Sequence, residues 1–148
     1  RREAKEIIDA YFEQFTALKA FTAHCVEEVR RKGYAETVLG RRRYLPDIQS
    51  SNATVRAFAE RNAVNAPIQG SAADVIKVAM VSIDAAIKAK GLRSKMIMQV
   101  HDELVFDVPK SEVEELTALI GRAMTEAIAL EVPLAVDMSS GNDWLEAH

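Results

Sequence analysis

Apolar side chains recur at helical spacing near the start of the chain, first at Ile7, Ile8, Tyr11 and Phe12, then past Phe15 at Leu18, Phe21, Cys25 and Val29. This pattern predicts two helices, the second stopped by Gly33. The period then changes. Glu36–Leu39 and Arg42–Leu45 are short β-prone runs flanking Gly40-Arg41, a tight-turn pair, so a basic hairpin or loop is expected there. Ser50-Ser51-Asn52 resembles a cap, and the helix it opens is expected to be short, ending at the Asn65-Ala66-Pro67 break. A second, longer helix follows, with Ala72, Ile76, Ala79, Met80, Ile83 and Ile87 on one face and Gly91 as its stop.

The pattern turns strand-like from Lys95 to Val108, where KMIMQV and LVFDVP flank His101-Asp102. Ser111 and Glu114 have capping-box spacing ahead of a stripe through Val113, Leu116, Ile120, Ala123 and Ala127. Val132–Met138 is expected to form a last strand. The fold class is therefore α+β: a small antiparallel sheet, made of the hairpin and the C-terminal strand, packed with long helices and preceded by a helical portion with a basic hairpin.

The chain has 148 residues, 49% of them hydrophobic, enough for an ordinary core. No apolar run approaches the roughly 20 residues of a membrane-spanning helix, and RREAKEIIDA is charged and helical rather than signal-like. A soluble intracellular protein with no membrane partner is expected. An opening without methionine, in mid-helix, suggests a preceding portion. One cysteine and three histidines are too few for a structural zinc site, so any metal should be held by oxygen. His24 and Cys25 are read as a surface histidine and a packed thiol. The net charge of −3 hides a gradient. Residues 1–61 carry 12 Lys+Arg against 9 Asp+Glu, whereas residues 62–148 carry 7 against 13. The basic half suits a polyanion. Within it, Arg41, Arg42 and Arg43 suit phosphate oxygens and equally a solvated sheet edge.

The acidic half holds the candidate chemistry. In MQVHDELVFDVP the hairpin turn would carry Asp102 and Glu103 on a stiff platform, as hard-cation binding requires. Strand alternation sends the two carboxylates to different sides, so one ligand and one auxiliary group are expected.

QVHDELVFDVP, RNAVNAPIQGSAADVIK and the ending VPLAVDMSSGNDWLEAH together resemble the C-terminal part of the family A DNA polymerases, a resemblance that covers essentially the whole chain. It implies that residues 1–62 are part of a fingers subdomain and residues 63–148 the C-terminal part of a palm. It also implies that Asp102 is one of two aspartates binding a catalytic Mg²⁺ pair, with Glu103 in support. By the same resemblance Arg61, Asn65, Gln69 and His101 lie near primer–template DNA, with Arg61, Gln69 and His101 on its minor-groove side. Donors there test pair geometry without reading base identity. The partners implied are primer–template DNA and deoxynucleoside triphosphates, in a bacterial cytoplasm at the nucleoid. The family's other aspartate and its nucleotide-gripping fingers helix have no counterpart motif here. The isolated chain is accordingly expected to be inactive, and prone to self-associate through surface those missing elements would cover. Two rival readings of the same residues are an HD-type phosphohydrolase and a non-catalytic DNA-binding or structural piece.

Overall fold

A computed structural model describes residues 2–147. The chain forms two compact units that divide between Ser71 and Ala72.

In the first unit, α1 (Arg2–Gln14) and α2 (Thr16–Lys32) meet at Phe15, as the two apolar stripes predict. Gly33 ends α2 at φ 83, and its N–H donates to the Val29 carbonyl. Strands β1 (Tyr34–Glu36) and β2 (Arg42–Tyr44) pair antiparallel, Ala35 opposite Arg43. The first arm therefore lies earlier than its β-prone run, because Thr37 closes the loop ahead of it. The Thr37 carbonyl accepts from Gly40 N–H at 2.9 Å and its hydroxyl from Arg41 N–H at 3.1 Å. A 3-10 turn, Pro46–Gln49, leads to helix α3 (Ala53–Lys90). Asn52 caps it, as the Ser-Ser-Asn pattern predicts, its Oδ1 accepting from Thr54 N–H at 3.0 Å.

The expected break at Pro67 does not occur, and one continuous helix replaces the predicted pair. A proline inside a helix costs about 3 kcal/mol. Burial on both sides outweighs that cost. Before the proline Val29, Leu45 and Ile48 pack with Ala35 against Ala59, Ala63 and Ala66 of α3, and after it Ala79, Ile83 and Ile87 of the same helix are buried. Each large apolar side chain contributes roughly 1.5–3 kcal/mol.

In the second unit, β3 (Lys95–Val100) and β4 (Glu103–Asp107) form the predicted hairpin, with a bulge between Met96 and Met98. Leu104, Phe106 and Met96 pack on a core of Ala79, Ile83 and Ile87 from α3 with Leu116 and Ile120 from α4 (Val113–Thr125). Gly91 at φ 66 ends α3 as its pattern predicts. The capping box is not formed. A 3-10 turn, Lys110–Glu112, precedes α4, which starts from Glu112 with no side-chain cap. The Glu112 carboxylate instead accepts from the Arg93 and Ser94 N–H groups and the Ser94 hydroxyl, the last at 2.6 Å. The Ser94 hydroxyl, before the backbone donors, holds this carboxyl below its ordinary range.

Val132–Met138 is not a strand. Extended backbone becomes sheet only beside a partner, and among the described residues each strand pairs only within its own two-stranded sheet. Pro133 also lacks an N–H to donate. A short helix, α5 (Trp144–Ala147), closes the described chain. Among the described residues no helix is long and apolar enough to cross a membrane.

Candidate functional site

The hairpin of the second unit ends in a two-residue bend, His101-Asp102, with Val100 facing Glu103 across its base. His101 takes φ 53, the only positive φ at a non-glycine among the described residues. Histidine visits this region more readily than most residues, yet it costs about 1–3 kcal/mol. Hairpin geometry supplies the reason, since a two-residue loop matched to the strand twist needs positive φ at its first position. Gln99 braces the bend, its Nε2 donating to the His101 carbonyl at 3.0 Å. Gln99 escaped the sequence reading. The available signal was an amide two positions before the turn within the apolar run Met96–Val100.

Asp102 and Glu103 are both exposed. Leu104 and Phe106 pack on the core, so alternation turns Glu103 and Val105 to the opposite face of the ribbon. Asp102 thus overhangs the sheet end, with Glu103 next to it on the far side. Among the described residues no three His, Cys, Asp or Glu side chains gather into a metal-binding group. The carboxylates of Asp102 and Glu103 offer a hard-oxygen donor set on a braced backbone. It fits an ion such as Mg²⁺, which takes one or two protein carboxylates and draws its other ligands from water and phosphate, and it does not fit a soft metal.

The first unit carries the remaining candidates. Arg61, Asn65 and Gln69 recur every four residues on α3 and are all exposed, forming one polar stripe opposite the buried Ala59, Ala63 and Ala66. The Arg61 guanidinium lies 5.8 Å from the Phe58 ring centroid. The three arginines of the basic hairpin have different surroundings. Arg41 Nη2 donates to the Gly70 carbonyl at 2.9 Å. Arg42 stacks 4.6 Å from the Tyr34 ring centroid and lies 3.8 Å from Glu36. Arg43 is exposed on β2 and makes no ion pair among the described residues.

His24 is exposed and Cys25 buried, as expected. Burial raises the Cys25 thiol pKa, which keeps it protonated and inert. The helix-borne histidine–aspartate set of an HD phosphohydrolase is not assembled among the described residues, since His101-Asp102 lies in a β-bend. His148 lies outside the described residues. A groove of about 500 Å³ between α3 and α4, bordered by Lys90 and Glu115, shares no residue with the bend.

The profile of DNA polymerase family A matches residues 1–146. The chain is 53% identical over 147 residues to DNA polymerase I of Streptococcus pneumoniae, covering 99% of this chain and 17% of that protein. It is 49% identical over 147 residues to DNA polymerase I of Bacillus subtilis, with the same shares covered. The chain thus spans about 17% of the length of these relatives. Among solved structures it is similar to the polymerase domain of Pol1 from M. smegmatis in complex with DNA primer–template and dNTP. The TM-score is 0.95 at 51% identity, covering 99% of this chain and 26% of that one.

Proposed function

The chain belongs to DNA polymerase family A, and from that premise we propose that it supplies part of the fingers, residues 1–62, and the C-terminal part of the palm, residues 63–148, of a DNA-directed DNA polymerase. The enzyme would use primer–template DNA and deoxynucleoside triphosphates, in bacterial DNA replication and repair at the nucleoid. The observation that carries this reading is the bend at His101-Asp102, which presents an exposed carboxylate from a braced, strained turn.

Asp102 would hold Mg²⁺ through one oxygen, with Glu103 in support from the other face of the ribbon. When bound, the metal supplies activation of the primer hydroxyl and charge stabilisation at the phosphates. This chain's residues then divide the remaining work. Arg61, Gln69 and His101 present donors to minor-groove acceptors common to all correct pairs, which suits an enzyme that copies any sequence. Asn65 stands between Arg61 and Gln69 on the same stripe. Arg42 and Arg43 add positive charge for the phosphate backbone.

The test is an exchange. The matching 147 residues of Bacillus subtilis DNA polymerase I are replaced by those of this chain. The swap enzyme is expected to extend a primer in a template-directed, Mg²⁺-dependent way. A swap enzyme that folds and binds primer–template, yet incorporates no nucleotide, would contradict the reading.

A further inference from the structure

Helix α3 is gripped at one turn by the loop between β1 and β2, and the grip centres on Gly70, the neighbour of Gln69. Arg41 Nη2 donates to the Gly70 carbonyl at 2.9 Å. One residue on, the Ser71 hydroxyl donates to the Pro67 carbonyl and accepts from the Val38 N–H at 2.9 Å, which uses its single proton and one of its lone pairs. A Cβ at position 70 would lie 2.5 Å from Thr37 Cγ2 and 3.4 Å from Arg41 Nη2. Loop and helix therefore approach as only glycine allows. The grip lies about one helical turn after Pro67.

We propose that Arg41 is a positioning residue: its guanidinium fixes the turn of α3 at Gly70 and thereby the aim of the Gln69 side chain, rather than meeting a DNA phosphate. This rests on the polymerase reading above, in which Gln69 tests base-pair geometry. The bond goes to a backbone carbonyl inside the protein, so it is the same whatever base pair is present. That is what a support for a sequence-independent geometric test requires. A donor held loosely would accept a misplaced acceptor almost as well as a correct one.

The experiment compares extension of matched and mismatched primer ends by the swap enzyme, with Arg41→Met in the wild-type and Gln69→Ala backgrounds. Met keeps much of the length and removes every donor. In the wild-type background the preference for matched ends is expected to fall about fivefold, an effect typical of residues coupled in one hydrogen-bonded network. In the Gln69→Ala background no further fall is expected, and the salt dependence of DNA binding should keep its slope. An equal fall in both backgrounds would overturn the proposal. So would an unchanged preference accompanied by a salt slope lower by about one, the mark of a lost phosphate contact. Where Arg41→Met fails to fold, Arg41→Gln replaces the guanidinium by a shorter polar side chain that cannot reach the Gly70 carbonyl; a lowered preference that disappears in the Gln69→Ala background supports the proposal and an unchanged one overturns it. A swap enzyme that folds and binds primer–template but is inactive on matched primers refutes the polymerase reading. One that is active but indifferent to these changes refutes this inference alone.

Discussion

Replacing Asp102 by asparagine in the swap enzyme is expected to lower the rate of nucleotide incorporation roughly 10³-fold or more, about 4 kcal/mol at the transition state, with little loss of primer–template affinity. Asparagine keeps the size of the side chain and one carbonyl oxygen, so the bend, with its Gln99 brace on the His101 carbonyl, should survive. What disappears is the negative charge that neutralises a divalent ion. Glu103→Gln should be milder, roughly 10- to 100-fold, the range expected when a group supports a ligand without being one. Single-turnover incorporation at saturating nucleotide measures both. Equal losses from the two substitutions would show that the carboxylates share one role and would remove the division of labour that strand alternation implies.

Leu116→Ala should cost about 3 kcal/mol of stability, because it opens a cavity in a core that cannot collapse freely. Leu116 is 2% exposed and packs with Ala79, Ile83, Ile87 and Ile120. Met96, Leu104 and Phe106 of the hairpin rest on the same cluster, so the platform that carries Asp102 loosens along with it. Val81→Ala is the control. Val81 lies on the same unit of α3 but is 72% exposed, and its truncation should fall within about 0.5 kcal/mol of neutral. Urea unfolding followed by helical circular dichroism separates the two. Coincident midpoints for Leu116→Ala and wild type would mean that this cluster is not the core of its unit.

Much of this architecture is legible from period alone. Helices α1, α2 and α4 and the β3–β4 hairpin follow apolar spacing, and Gly33 and Gly91 mark two helix ends because φ 83 and φ 66 are open to glycine. The misread elements share a cause, in that their outcome depends on contacts far along the chain. Pro67 is a local helix breaker, but α3 is buried before it at Ala59, Ala63 and Ala66 and after it at Ala79, Ile83 and Ile87, so packing on both sides holds the helix. Ser111 and Glu114 have the spacing of a cap, but Glu112 is committed to Arg93 and Ser94, and α4 starts from there. Val132–Met138 has strand character, but among the described residues no strand pairs with it.

The candidate site divides the same way. Asp102 in a rigid bend follows from two apolar arms around a polar pair, and the stripe of Arg61, Asn65 and Gln69 follows from a spacing of four. Arg41 does not follow from any local pattern. It sits in a row of three identical residues, and what distinguishes it is a carbonyl 29 positions away. Charge patterning identifies a cation cluster, and only the fold says that Arg41 reaches a helix carbonyl while Arg42 meets Tyr34 and Glu36.

The central claim is that Asp102 offers a carboxylate oxygen to a divalent ion. The most direct measurement is anomalous diffraction from crystals of the swap enzyme with primer–template, an incoming nucleotide and Mn²⁺ in place of Mg²⁺. The expected result is a manganese peak within oxygen-ligand distance, about 2.1 Å, of the Asp102 carboxylate. A manganese peak on the nucleotide phosphates with none at Asp102 would contradict it.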